Sequence, residues 1–168
     1  MKKRKIENKI EWKKIILLFV LTFSFGALSV LVYSSKPFQE FISNRNVNHD
    51  ILIKAPFAEI YAEVADTDSK KETGLSYRKK ISDDEGMIFV FDKVGIYPFW
   101  MKDMNFPIDI LWLDEDYRVV YMEENLATSS YPNAYANKAG AKYVLEINAN
   151  KSKDAGIYLG TKLVIGQK

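Results

Sequence analysis

The distribution of apolar and polar residues divides the chain into three stretches. Residues 15–33, IILLFVLTFSFGALSVLVY, hold no charge, whereas residues 34–50 are polar and rich in Asn and Ser. From residue 51 to residue 168, short apolar runs alternate with turn signals. The first stretch predicts a transmembrane helix, the second a linker and the third a β-domain.

The uncharged stretch is long enough to cross a bilayer. At about 1.5 Å per residue it spans roughly 28 Å, close to the thickness of the hydrocarbon core. Residues 1–14 precede it and carry seven Lys or Arg against two Glu. The positive-inside rule therefore predicts a single-pass protein of the cell membrane, with a cytoplasmic basic tail over 1–14 and an extracytoplasmic domain over 51–168.

A cleaved signal peptide is the alternative interpretation of the same stretch. The apolar region of a signal peptide has about 7–15 residues and is followed by a small-residue cleavage site. Here the run is longer, and the small residues Gly26 and Ala27 lie inside it. This arrangement favours a retained signal anchor. The chain has no Cys, which excludes disulfides and a lipidated N-terminal cysteine.

Local patterns in the third stretch indicate a mainly β domain. Residues 58–64 alternate strictly between apolar and polar, as in a strand, whereas residues 66–74 combine N-cap candidates with a terminal Gly, as in a short helix. A further helical turn is expected within residues 149–156. About seven short strands at this spacing predict a compact barrel-like β-sandwich with one or two short helices.

The charge distribution and the missing motifs narrow the function. The net charge of +2 comes from the first fourteen residues, because residues 34–168 hold 17 basic and 20 acidic side chains. Nucleic-acid binding is therefore not indicated. The single His49 falls in the linker, and neither a phosphate-binding glycine motif nor a calcium-loop spacing occurs. We expect no metal, no cofactor and no nucleic-acid partner.

Charged residues interrupt the apolar segment 97–114, YPFWMKDMNFPIDILWLD. Residues 106–113 are apolar on both alternating faces, so they predict a buried strand with Asp109 in a dry environment. A buried carboxylate must be paired or hydrogen-bonded. We expect Lys102, or backbone N–H groups of the break around it, to be the counter-group. In the structural interpretation, Asp109 only fixes the turn or the strand register.

The functional interpretation brings five side chains to one ligand-binding pocket. They are Trp100, Lys102, Asp103, Asp109 and Glu146. An aromatic wall beside a cation and carboxylates is a common way to hold small polar ligands, sugars included. Glu146 also fits a solvated outer face, because it alternates with its neighbours along the predicted strand YVLEIN.

Three classes of function stay open at this point. The leading hypothesis is a non-catalytic binding or accessory module for a small ligand or an envelope component, because no nucleophile–base pair is evident. The first alternative is a hydrolase of a cell-envelope or polysaccharide substrate that uses Asp109 with Asp103 or Glu146 as acid and base. The second alternative is a structural domain that docks on another membrane protein.

Several motifs of the third stretch occur in an order that resembles the family known as domain of unknown function 192. They are Gly74-Leu75, Gly86-Met87-Ile88-Phe89, Trp100-Met101-Lys102, Pro107-Ile108-Asp109 and Leu145-Glu146, within about residues 57–166. The resemblance implies a barrel-like β-sandwich in an exported or membrane-anchored prokaryotic protein, and it implies no established activity. The chain departs from the family at Asp103, where Asn is usual, and it lacks the Cys that many members carry after the EEN motif.

Overall fold

The computed structural model of the protein describes residues 51–167. The predicted basic tail over 1–14, transmembrane anchor over 15–33 and linker over 34–50 lie outside the described residues. Within the part of the chain that is described, no helix is long and apolar enough to span a bilayer.

The described residues form nine strands and two short α-helices. The strands are β1 (Ile51–Lys54), β2 (Glu59–Ala65), β3 (Glu85–Gly95), β4 (Phe99–Trp100), β5 (Ile108–Leu113), β6 (Val119–Leu126), β7 (Ala134–Tyr135), β8 (Ala141–Asn148) and β9 (Val164–Gln167). The helices are α1 (Asp68–Thr73) and α2 (Lys151–Asp154), and a 3₁₀ turn covers Thr128–Ser130. Both helices lie where the sequence predicts helical turns.

Seven strands form one mixed sheet in the order β6-β5-β8-β3-β2-β1-β9, and β4 pairs with β7 in a separate ribbon. Only β2 and β3 run parallel among the described pairs. The two ends of the sheet meet at one isolated bridge, between Arg118 and Lys162. The predicted mainly β fold is therefore confirmed, whereas the predicted barrel-like sandwich is not, because the sheet is not closed.

Apolar side chains pack on both faces of this sheet. All six residues of β5 are buried. Leu111 and Leu113 join one core cluster, whereas Ile110 and Trp112 join another. The alternation places the two clusters on opposite faces of β5. This confirms the prediction that the strand is covered on both sides.

Helix α1 begins and ends as the sequence predicts. The side chain of Thr67 accepts a hydrogen bond from the N–H of Lys70 at 3.3 Å. Gly74 follows the helix with φ 53°, and its N–H donates to the carbonyl of Lys70 at 2.8 Å. A β-carbon on Gly74 would lie 3.3 Å from Cζ of Phe89. The end of α1 therefore packs closely over β3, where it forms one side of a cavity.

Candidate functional site

A cavity of about 180 Å³ lies between the end of α1 and the strands β3 and β4. Five of its fourteen lining residues are aromatic, and two others, Glu72 and Glu146, carry carboxyl groups. The aromatic residues of the lining are Phe89, Phe91, Tyr97, Phe99 and Trp100. An apolar concave surface with few polar groups is typical of small-ligand sites.

The aromatic wall is held in place by contacts among its own rings. Phe91 stacks on Tyr97 with ring centroids 3.5 Å apart, and Phe99 meets Phe89 edge to face at 4.8 Å. The indole N–H of Trp112, from the buried core, donates to the carbonyl of Tyr97 at 3.0 Å. Ring pairs of this kind each add about 0.5–1.5 kcal/mol beyond their buried area. The rings of Phe89, Phe91, Tyr97 and Phe99 are therefore preorganised.

Glu146 contributes a buried carboxyl group to the cavity. It is 5% exposed, and its Oε2 atom has no hydrogen-bond partner among the described residues. Burial raises the pKa of this carboxyl to about 8, although the charge of Arg78 and a hydrogen bond from the backbone of Leu75 act in the opposite direction. Glu146 is thus mostly protonated at neutral pH. The interpretation of Glu146 as a solvated outer-face residue is wrong.

The nearest guanidinium is engaged by another carboxylate. Arg78 forms a two-bond ion pair with Glu63, in which Nη2 lies 2.9 Å from Oε2 and Nη1 contacts Oε1. Both side chains of the pair are mostly buried. Since Glu63 takes up the guanidinium, Arg78 acts on Glu146 through its field rather than through a hydrogen bond.

Asp109 lies on the opposite face of the sheet from Glu146. In the antiparallel pairing of β5 with β8, Asp109 faces Ile147, and Ile110 faces Glu146. Paired residues share a face and neighbours along a strand alternate, so the two carboxyl groups point in opposite directions. Asp109 and Glu146 therefore cannot act together as acid and base on one substrate.

Asp109 is fully buried, as predicted, but its partners differ from the prediction. Its Oδ1 accepts hydrogen bonds from the N–H groups of Asn125 at 2.8 Å and Asn150 at 3.0 Å. Its Oδ2 accepts from Ser152, through the N–H at 2.9 Å and the hydroxyl at 2.5 Å. The expected pairing with Lys102 is wrong.

The donors to Asp109 are groups that regular secondary structure leaves unpaired. Asn125 lies in an irregularity between β5 and β6, where the register shifts between Ile108 and Ile110. Asn150 and Ser152 stand at the start of α2, where helical N–H groups have no partner within the helix. The hydrogen bonds of Asp109 therefore connect the bulge to the start of α2, so its role is structural.

Lys102 and Asp103 lie in an exposed turn outside the cavity. The carbonyl of Lys102 accepts from the hydroxyl of Ser76 at 2.9 Å, and the carboxylate of Asp103 accepts from the hydroxyl of Tyr77 at 2.8 Å. Asp103 has φ 56°, a region in which Asp and Asn are enriched. The turn therefore explains why Asn also suits this position.

The structure brings two of the five predicted site residues together. Trp100, which is 51% exposed, and Glu146 line the cavity, whereas Lys102, Asp103 and Asp109 do not. Sequence reasoning missed the other four rings, Phe89, Phe91, Tyr97 and Phe99. The sequence does contain a signal for these rings. The two Phe of MIFVF are two residues apart, as are the Tyr and Phe of IYPFW, and this spacing puts each pair on one face of an extended chain. Within residues 51–167, no group of three or more His, Cys, Asp or Glu is arranged to hold a metal.

The fold and the site define a mainly β domain with an open mixed sheet and an aromatic cavity that contains one buried carboxyl group. The family model DUF192, described as uncharacterized ACR, matches residues 51–165, and the chain therefore belongs to this family. The resemblance seen in the sequence motifs is thereby confirmed.

Two solved structures are similar to the described domain. One is a proposed transcription regulator from Sinorhizobium meliloti 1021, with 28% identity and a TM-score of 0.65, over 68% of this chain and 92% of that chain. The other is a protein of unknown function from Novosphingobium aromaticivorans DSM 12444, with 27% identity and a TM-score of 0.61, over 68% and 83% of the two chains. A comparison with curated proteins finds no match.

Proposed function

We propose that residues 51–168 form an extracytoplasmic domain that binds a small ligand without transforming it, and that residues 15–33 anchor it in the membrane. One observation carries the binding proposal: Glu146 keeps a buried carboxyl oxygen that has no hydrogen-bond partner among the described residues, and it lies beside a preorganised aromatic wall. A buried polar group left unpaired costs about 1–3 kcal/mol. A ligand that supplies the partner recovers this free energy on binding.

The non-catalytic part of the proposal rests on the separation of the predicted acid and base. Asp109 is on the other face of the sheet from Glu146, and all four of its hydrogen bonds come from the protein. Asp103 is exposed and is held by Tyr77. This placement argues against the carboxylate pairs that the hydrolase alternative requires.

A fragment screen tests the binding proposal. Ligand-observed NMR on the full-length chain identifies fragments that bind the wild type, and each is then titrated into two variants. Trp100→Ala removes part of the aromatic wall, and Glu146→Gln replaces the carboxyl by an amide of the same shape. We expect each change to weaken binding about tenfold or more, which corresponds to about 1.4 kcal/mol.

The matched control for Glu146→Gln is Asp103→Asn, the same chemical change at an exposed carboxylate outside the cavity. It is expected to leave binding unchanged. The binding proposal fails if Trp100→Ala and Glu146→Gln both remain folded and bind every fragment as the wild type does.

The membrane anchor is tested by topology and mass. Alkaline phosphatase, which is active only after export, is fused after residue 168, and the fusion is expected to be active and to stay in the membrane fraction. The intact mass of the unfused protein separates the two interpretations of residues 15–33. An anchor leaves the full-length chain, whereas a cleaved signal peptide leaves a chain that lacks this segment.

A further inference from the structure

We infer, on the basis of the proposed function, that the ligand of this cavity carries a protonated amine, which donates a hydrogen bond to Oε2 of Glu146 while its carbon atoms contact the aromatic wall. The carboxyl group, the aromatic faces and the charges around them together favour a cationic ligand.

The size of the cavity limits the bound group. The cavity of about 180 Å³ is smaller than the roughly 300–1,000 Å³ of sites for drug-sized ligands, which limits the bound group to the size of a small fragment. One ring with a short aminoalkyl arm has this size, and benzylammonium is the corresponding probe.

The wall of the cavity already contacts a cation of the protein itself. The ammonium group of Lys71, which also lines the cavity, lies 5.2 Å from the ring centroid of Phe91. The faces of aromatic rings carry negative partial charge and attract cations, by about 0.5–1 kcal/mol at exposed sites and more where water is excluded. The aromatic wall therefore favours an ammonium group over an anion.

The ionisable groups around the cavity also favour an amine as the ligand. Helix α1 contributes Lys71 and Glu72 to the lining, and β8 contributes Glu146. Behind Glu146, Arg78 is paired with Glu63. The charges of Lys71 and Glu72 offset each other, so the lining gives an anion no net attraction, whereas an amine can pair with Glu146.

The residues that pair with Glu146 in the sheet carry no charge. Its partners in the sheet are Met87 on β3 and Ile110 on β5, which are both buried and apolar. An ammonium group that reaches Oε2 therefore becomes the closest partner of this oxygen. Because burial keeps Glu146 protonated at neutral pH, binding of the cation should release the proton of the carboxyl group.

Proton release gives the test a readout that general loss of affinity cannot imitate. Calorimetric titration of the full-length chain compares benzylammonium with benzyl alcohol, a neutral probe of the same size. At pH 7, in two buffers with different ionisation enthalpies, we expect nearly one proton released for each benzylammonium bound. The affinity for benzylammonium should rise roughly 50-fold between about pH 6 and pH 8, as the ionised fraction of Glu146 rises.

Three variants check the assignment: one is expected to lose the response, one to keep it and one to strengthen binding. Glu146→Gln should abolish both proton release and the pH dependence, and Asp103→Asn should leave both unchanged. Lys71→Met removes the cation that already lies at the aromatic wall, so it should strengthen benzylammonium binding several-fold. A gain in affinity cannot result from a damaged fold.

The outcomes separate this inference from the proposed function. The amine inference is overturned if benzyl alcohol binds as tightly as benzylammonium, or if benzylammonium binds without releasing a proton. It is also overturned if benzylammonium does not bind at all. In each case the proposed function still stands when other fragments bind the wild type and are lost in Trp100→Ala and Glu146→Gln.

Discussion

Replacing Asp109 by Asn is expected to destabilise the domain by about 3 kcal/mol. The side chain keeps its shape but loses its charge and one of its two acceptor oxygens. In the wild type these oxygens accept four hydrogen bonds, from the N–H groups of Asn125 and Asn150 and from the N–H and hydroxyl of Ser152.

The magnitude follows from the bonds that an amide can still accept. If its oxygen faces Asn125 and Asn150, its NH₂ group faces Ser152. The hydroxyl of Ser152 can turn and accept from the amide, but its buried N–H loses its acceptor, which costs about 1–3 kcal/mol. The remaining bonds are no longer assisted by charge, which removes roughly half of their strength.

Urea denaturation of the full-length chain, followed by circular dichroism, measures this loss. Asp103→Asn is the control, because it makes the same substitution at an exposed position whose left-handed backbone suits Asn. Its free energy of unfolding should change by less than about 0.5 kcal/mol. If Asp109→Asn also stays below about 0.5 kcal/mol, the four bonds do not stabilise the fold and the reasoning is refuted.

Two further predictions concern the end of α1 and the buried Glu146. Gly74→Ala should lower the free energy of unfolding by about 1 kcal/mol more than Gly160→Ala does. Both positions have positive φ, but only a β-carbon at Gly74 would crowd Phe89. Equal losses in the two variants would contradict this reasoning. The stability of the wild type should fall as the pH rises from about 5 to about 8, by up to about 1.4 kcal/mol per pH unit, because the folded Glu146 holds a proton that the unfolded chain releases. Urea midpoints across this range should show the fall in the wild type and not in Glu146→Gln, and a constant midpoint in the wild type would exclude the raised pKa.

Local patterns were sufficient for the helix α1 and the buried strand β5, although not for all nine strands. The N-cap and the terminal glycine of α1, together with the apolar character of both faces of β5, are properties of short segments, and the structure has both features. The closure of the sheet is a different kind of property. It depends on how the segment at β6 pairs with the residues before β9, and here the two segments meet at a single bridge. The pairing of segments so far apart in the sequence is not encoded in any local pattern.

For a similar reason, local sequence patterns could not predict the partners of the buried carboxyl groups. The backbone donors to Asp109 come from residues 16, 41 and 43 positions away along the chain. Lys102 was expected as the partner because it is close in sequence, yet it is exposed. The sequence did not predict whether Glu146 faces a cavity or solvent. Alternation assigns a residue to one face of a strand, but it does not tell what covers that face, and here both faces of the sheet are covered.

The contrast between Asp109 and Glu146 supplies the strongest argument for a binding role. The two groups lie on neighbouring strands of one sheet, and the protein gives Asp109 four donors but leaves Oε2 of Glu146 without a described partner. Since an apolar side chain would avoid this cost, Glu146→Met is expected to stabilise the domain, most clearly above about pH 8, where the native carboxyl is ionised.

Thermal unfolding of Glu146→Met at about pH 6 and about pH 9 checks this expectation. A higher melting temperature, with weaker ligand binding, would mean that Glu146 is kept at the expense of stability, as binding and catalytic groups often are. A lower melting temperature at both pH values would instead make Glu146 a structural residue like Asp109. The observation that carries the proposed function would then have a purely structural explanation.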